Sequence, residues 1–240
     1  MTKWAIRWIV ATTSLMPYIL YAGIGDGIQG TAHDFSGSGE STTSSCAFCH
    51  TPHEAQDQTL AWNHTLSTNT FSWSRATTSG GTPYPTIQGD TYSGPTAKCL
   101  SCHDGTVAIG DIAWWNGGPV SSPVDNTRIS GAAQTASSSG RMDENHPVAM
   151  PFPWDNAPST YNGVTTGTGV ALGDWQPDPE ALGIRLYNDD GSGMISSGAV
   201  AGQTGMECTS CHDPHNGSTV ESAAFLRGTT ANICTKCHKK

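Results

Sequence analysis

Cys208-Thr209-Ser210-Cys211-His212-Asp213-Pro214-His215 is the stretch on which the reading of this chain turns. Two cysteines three positions apart are followed at once by a histidine, and a second histidine comes three residues later, behind a proline. The first half of that frame recurs as Cys46-Ala47-Phe48-Cys49-His50, Cys99-Leu100-Ser101-Cys102-His103 and Cys234-Thr235-Lys236-Cys237-His238. These four frames use all eight cysteines of the chain. Cys-x-x-Cys-His is the spacing of covalent c-type haem attachment: two thiols add to the two vinyl groups of one porphyrin, and the histidine beside them reaches the iron. Four disulfides or paired zinc sites would also use eight cysteines, but neither calls for a histidine after every second one. With 9 His in 240 residues, four such placements arise by chance with a probability of order ~10⁻⁶. The sequence therefore predicts four haem c groups per chain, with His50, His103, His212 and His238 on the near face of each iron.

The far-face ligand decides whether a haem carries electrons or offers an open position. Five histidines remain: His33, His53, His64, His146 and His215. Four haems need four of them, so two imidazoles on every iron can be met from the chain itself. The leading motif of each pair carries the extension His-x-Pro-His, in His50-Thr51-Pro52-His53 and His212-Asp213-Pro214-His215. Proline stiffens the backbone, and a residue so close to its own near-face histidine cannot reach the far face of the same haem. His53 is thus expected on the haem of Cys99 and Cys102, and His215 on that of Cys234 and Cys237. His33 and His146 are the next candidates, with Asp34 placed to polarise the ring of His33. His64, beside Trp62, is the last. Met142, Met150, Met194 and Met206 are weaker alternatives that would raise the potential of a haem.

The four motifs form two doublets, 46–103 and 208–238, joined by a cysteine-free segment 104–207. Only the leading motif of each doublet has the His-x-Pro-His extension, which marks an internal duplication with unequal inserts. Around the motifs the chain is rich in Gly, Ser, Thr and Pro, with 36% apolar and 13% charged residues. A protein-only core would be thin at this length, and haem would supply the missing apolar surface. No long amphipathic period appears, and Gly and Pro interrupt almost every stretch. The expected fold is mostly irregular coil with short helices at each motif, organised around four stacked covalent haems. One β-hairpin is expected, from Ile184–Tyr187 to Met194–Ile195 about an Asn-Asp-Asp-Gly turn. Trp62, Trp73, Trp114, Trp115 and Trp154 are candidates to pack on haem faces and edges. Asn63-His64-Thr65 and Asn216-Gly217-Ser218 match the glycosylation acceptor pattern, which is frequent by chance.

Residues 1–24 read as a cleaved export signal: Lys3 and Arg7, an apolar run from Trp8 to Tyr21, then small residues. Residues 25–240 then form one tetrahaem domain without a membrane span. The formal net charge of -9 argues against nucleic acid as a partner.

The runs His33-Asp34-Phe35-Ser36, Cys46 to His53, Trp62-Asn63, Cys99 to Gly105, His146-Pro147-Val148, Cys208 to His215 and Phe225-Leu226-Arg227 resemble those of the doubled-CXXCH multihaem cytochrome c family. Within it, the four-haem layout is similar to extracellular tetrahaem cytochromes that polymerise into conductive filaments (the OmcE type). That resemblance implies a homopolymer joined end to end, a continuous stack of parallel and T-shaped haem pairs, and a far-face histidine supplied by one subunit to its neighbour. His33 or the spare His64 would play that part here. It implies an electron carrier rather than an enzyme, placed outside the cell or on its surface, with redox partner proteins and an extracellular electron acceptor. A monomeric periplasmic shuttle and a subunit of a multihaem reductase are the competing readings. The reductase needs an open iron, and spare histidines outnumber haems.

Overall fold

The computed structural model describes residues 27–36, 45–57, 59–215 and 225–239. The expected export signal and the Asn216 acceptor site lie outside these residues.

Two α-helices are present among the described residues, and both carry haem motifs: α1, Pro95–His103, and α2, Cys208–Cys211. Helix α1 starts on Pro95, whose fixed φ suits a first helical position, and buries Thr96, Ala97, Lys98, Leu100 and Ser101. It stops because Gly105 takes φ 73°, the left-handed conformation that ends helices at low cost. Cys99, Cys102 and His103 stand at i, i+3 and i+4, so they share one helix face. The other two motifs make shorter turns of the same kind. His50 donates its backbone N–H to the Cys46 carbonyl (2.9 Å), His212 to Cys208 (3.1 Å) and His238 to Cys234 (2.9 Å). The short helical structure expected at each motif is thus found.

The strands are two or three residues long and all pair antiparallel. Strands β1 (Thr70–Phe71) and β2 (Ile87–Gln88) pair inside the first doublet. Strands β3 (Trp114–Trp115) and β4 (Gly118–Pro119) form a hairpin, as do β6 (Thr160–Tyr161) and β7 (Val164–Thr165). Both hairpins turn on Asn-Gly pairs with positive φ, Asn116-Gly117 and Asn162-Gly163, the strongest short hairpin signal. The one larger sheet has the order β5-β10-β8-β9, from Met150–Pro151, Thr204–Met206, Tyr187–Asp189 and Ile195–Ser197. Its β8–β9 arm is the expected hairpin. Its paired residues start a few positions later than the sequence suggested, with Tyr187 opposite Ser197 and Asp189 opposite Ile195. Strand β10 is buried along its length and runs directly into Glu207 and α2, so the sheet delivers the third motif.

The core is divided into three small clusters, and each reaches a motif. Phe71, Trp73, Ile87, Leu100 and Met142 pack together with Cys208 at their margin. Phe152, Ile184, Leu186 and Met206 gather around Cys237. Phe48, Ile112 and Trp115 adjoin Cys49. The Ser/Thr/Gly-rich insert of the first doublet is therefore structural, since it contributes Phe71, Trp73 and Ile87 to the first cluster.

The duplication is visible in the backbone. Thr51 donates to Ala61 and Asn63 donates to Cys49; correspondingly Asp213 donates to Phe225 and Arg227 donates to Cys211. The bridge His50–Trp62 corresponds to His212–Leu226, and Ala61 and Phe225 share positive φ (50° and 53°). Each leading motif is thus closed by the same returning segment.

Candidate haem-binding site

None of the eight cysteines, all of them among the described residues, is in a disulfide. Among the described residues, no three of His, Cys, Asp and Glu converge as a cage for a bare metal ion. Successive motifs instead meet through their cysteines, in chain order. Burial pushes the Cys102 thiol up to about 12, and neighbouring Cys49 adds to the effect. The Cys99 and Cys208 thiols hydrogen-bond each other, and that bond together with burial raises Cys99. Burial brings Cys211 to about 11 and Cys237 to about 12; Cys208 and Cys234 add to the first, and Cys211 and Cys234 to the second. The thiols of successive motifs thus lie near enough to act on one another's charge, first to second, second to third and third to fourth.

The histidines come together in pairs. A metal–imidazole bond is about 2 Å long, and the ring centre lies about 1 Å beyond the nitrogen. Two imidazoles on opposite faces of one iron therefore have centres about 6 Å apart. The rings of His50 and His215 are 6.0 Å apart, those of His103 and His33 6.1 Å, and those of His238 and His146 6.5 Å. Each pair joins a motif histidine to a distant one. The sequence had assigned His53 to the second site and His215 to the fourth. The structure instead brings His33 to His103, His146 to His238 and His215 to His50. His215 does meet a motif other than its own, but which motif it faces is set by long-range packing. For His215 that packing folds the second doublet back onto the first.

The ring nitrogens are ordered to suit metal binding. Nδ1 of His50 bonds the Leu60 carbonyl (2.8 Å), Nδ1 of His103 that of Ala133 (2.7 Å), and Nδ1 of His146 that of Pro147 (3.0 Å). A carbonyl at Nδ1 fixes the proton there and leaves the Nε2 lone pair free. The ring of His33 bonds the Pro214 carbonyl, and burial, then the nearby His103, hold it below its ordinary range. Asp34 does not polarise His33; its carboxylate accepts from the backbone of Gly30 (2.7 Å) and Ser36 (3.1 Å). His53 is exposed and its ring lies 5.5 Å from that of Trp114.

His64 stands apart. It is 2% exposed, and its two ring nitrogens are held by the carbonyls of Thr65 (2.8 Å) and Ala108 (2.9 Å). Its nitrogens are engaged in the fold, although Cys102 Sγ is only 3.4 Å away. Neighbouring Asn63 is fully buried, bonding Ala47 and Trp114 through its amide, so it is no glycan acceptor in the folded chain. Met142, Met150 and Met206 are core residues, and Met194 is 71% exposed on the β8–β9 turn.

Aromatic rings line the histidine pairs. Trp62 meets His50 edge-on at 5.7 Å. Two residues that sequence reasoning missed lie closer: Trp175 is 4.3 Å from His238, and Phe225 stacks on His33 at 4.4 Å. Trp175 stands in no motif, and Phe225 entered the sequence reading only within the run Phe225-Leu226-Arg227, with no contact assigned to it. Trp73 stacks on Tyr84 within the first cluster, and Trp115 meets Phe48 edge-on within the third. Among the described residues, the buried indole N–H groups of Trp62, Trp73 and Trp154 have no hydrogen-bond partner. Buried donors are rarely left unpaired in a complete structure. Trp62 lies against His50, and Trp154 joins the cluster around Cys237.

Cysteine pairs outside any disulfide, imidazoles about 6 Å apart, three of them with a carbonyl at Nδ1, and orphaned donors beside two motifs all fit haem c. Cys46 and Cys49, Cys99 and Cys102, Cys208 and Cys211, and Cys234 and Cys237 would hold the group covalently. When bound, haem supplies a one-electron couple. The protein fixes the tautomers of His50, His103 and His146 and packs apolar clusters behind the motifs.

Residues 200–240 match the family model described as the doubled CXXCH motif, which covers both motifs of the second doublet. No curated protein matches the chain. The match supports a chain of the multihaem cytochrome c type, and its motif indicates covalently bound c-type haem and haem-based electron transfer. No helix among the described residues is long and apolar enough to cross a membrane.

Proposed function

We propose that this chain is an electron conduit: an exported carrier of four covalent haems, each with two histidines on its iron, that assembles end to end into an extracellular filament. The observation that carries the reading is the set of three histidine pairs, His50–His215, His103–His33 and His238–His146, at 6.0 to 6.5 Å. An iron with imidazoles on both faces has no open position for a substrate and keeps a lower potential than one ligated by methionine. That favours a carrier over a reductase. The thiol contacts between successive motifs support a continuous path through the chain.

The fourth ligand set falls to His212 of the third motif with His53 as its far-face candidate. The sequence had offered His33 or His64 as the ligand given to a neighbour, but His33 faces His103 and His64 is held by carbonyls. The exposed His53 is the better candidate to cross a subunit boundary. In a monomeric periplasmic shuttle the same two residues would have to serve one haem of one chain.

The test is to purify the haem-containing chain without detergent, count haems by the absorbance of their pyridine adduct, and image the material by electron microscopy. Four haems per chain, no carbon monoxide uptake by the reduced protein, and thin filaments with a short axial repeat are expected. Monodisperse particles would replace the filament with the shuttle. Stoichiometric carbon monoxide binding would return the reductase.

A further inference from the structure

Glu207 is the one fully buried carboxyl whose surroundings join two haem sites. It is 0% exposed and stands immediately before Cys208, as the N-cap of α2. Its backbone carbonyl accepts the Ser210 N–H, and Ser210 Oγ accepts the Glu207 backbone N–H, both at 2.9 Å. Its carboxylate reaches the other motif helix. Oε2 accepts the backbone N–H of Thr96, in the first turn of α1, at 3.1 Å. Oε1 accepts the hydroxyls of Tyr92 (2.5 Å) and Tyr161 (2.7 Å). Thr96 Oγ1 in turn accepts the Cys208 N–H at 3.1 Å. One residue therefore caps the two helices that present Cys99 and Cys208, and it does so across the boundary between the doublets.

The neighbouring β-sheet is shaped to permit this. A side chain on Gly205 would collide with the ring of Tyr161, so the glycine lets the tyrosine lie flat on β10 with its hydroxyl directed at Glu207. A buried carboxyl surrounded by hydrogen-bond donors is satisfied as an anion, and its field acts in a region of low dielectric.

We propose that Glu207 is the positioning residue for electron passage between the doublets, clamping the second and third haem sites together and setting their potentials with its charge. The proposal rests on the electron-transfer reading given above. A negative charge favours the oxidised, more positive state of a nearby redox centre, so its removal raises the midpoint potential of that centre.

The carboxyl is pushed above its ordinary range by burial, against which the bonds from Thr96, Tyr92 and Tyr161 act. The other titratable group facing it is Tyr187 from β8; the nearby Cys99 and Cys208 thiols would be thioethers, and so would not titrate, once haem is attached. Asp189 lies beyond Tyr161. The tyrosines are all raised by burial, so they stay neutral through the range in which Glu207 changes charge. Acidification therefore neutralises Glu207 and raises two of the four midpoints.

The experiment is spectroelectrochemical titration of the haem-loaded full chain, from mildly acid to mildly alkaline pH, for the parent and for Glu207→Gln. At alkaline pH, two of the four midpoints of the variant are expected above those of the parent, and their step with pH is lost. Tyr92→Phe with Tyr161→Phe keeps the charge and removes two donors. That variant should keep the parent's alkaline potentials and move the step to higher pH, and it carries the test if Glu207→Gln does not accumulate. Four haems with midpoints superimposable on the parent at every pH would overturn the proposal, as would an equal shift of all four. A parent chain without haem would overturn the electron-transfer reading itself, and the proposal with it.

Discussion

Lys98 and Asp57 form an ion pair whose two halves should not be equally expensive to remove. Lys98 precedes Cys99 in α1, and Asp57 lies in the segment after the first motif, so the pair ties the first site to the second as Glu207 ties the second to the third. The lysine side chain is 3% exposed and the aspartate 21%. Removing one partner of a buried pair costs about 3–5 kcal/mol, because the other charge is left uncompensated. In Asp57→Asn the stranded group is the buried ammonium, with only the Ser93 carbonyl at 3.5 Å to help. A loss of about 3 kcal/mol is expected. In Lys98→Met the methylenes stay packed. The stranded Asp57 keeps water and the Thr59 N–H at 2.7 Å, so about 1 kcal/mol is expected. The gap of about 2 kcal/mol is a roughly 30-fold difference in the unfolding constant. At a urea slope of about 3 kcal/mol/M it separates the midpoints by about 0.7 M. The double variant should recover most of the Asp57→Asn loss, since no unpaired charge is then buried. The pH dependence has a definite sign. Burial pushes the Asp57 carboxyl up, but the bonds from Lys98 and Thr59 and the ammonium charge outweigh it, leaving it below its ordinary 3.8. Its contribution is therefore present above that value and disappears as the pH falls through the lower folded one, where parent and Asp57→Asn should converge. Urea unfolding of the haem-loaded chain, followed in the visible absorbance, measures all of this. Equal losses for the two single variants would refute the reasoning, because the cost would then lie in the attraction between the charges and not in the burial of one.

His215→Ala should open one iron, so that the reduced protein takes up carbon monoxide at about a quarter of its haems, whereas His64→Ala should leave ligation intact and lower stability by about 2 kcal/mol; carbon monoxide titration and urea unfolding separate the two. Gly205→Ala forces a methyl group into the Tyr161 ring and should cost about 1–3 kcal/mol, seen as a lower urea midpoint and an altered near-ultraviolet signal from displaced tyrosine. Trp154→Phe keeps an aromatic ring but removes an N–H that no protein group accepts. If that donor serves the bound haem, the loaded chain loses about 1 kcal/mol, and no loss at all in urea unfolding would show that it serves nothing.

What the sequence revealed depended on whether a residue's role is local. The Cys-x-x-Cys-His turns were legible because attachment needs a fixed spacing on one helical turn, and the returning segments that close the leading motifs follow from the duplication. The Asn116-Gly117 and Asn162-Gly163 turns are equally local signals, and each closes a hairpin beyond the one expected from the sequence. Histidine pairing was not local. His50 and His215 are joined by packing between the doublets, and nothing in His-x-Pro-His states which distant site the second ring will meet. Glu207 was hidden for the same reason in a sharper form. An acidic residue before a haem motif reads as a solvated helix cap, which is the ordinary fate of glutamate. Only the arrival of Tyr92 and Thr96, from just before and within the first turn of α1, and of Tyr161 from β6, makes it a buried, hydrogen-bonded carboxyl. The haem sites are thus specified twice, by motifs that each bind one group wherever they stand and by a few long-range polar contacts that determine which groups adjoin. Exchanging the first kind removes a haem. Exchanging the second should leave every haem attached and change only how readily an electron passes from one to the next.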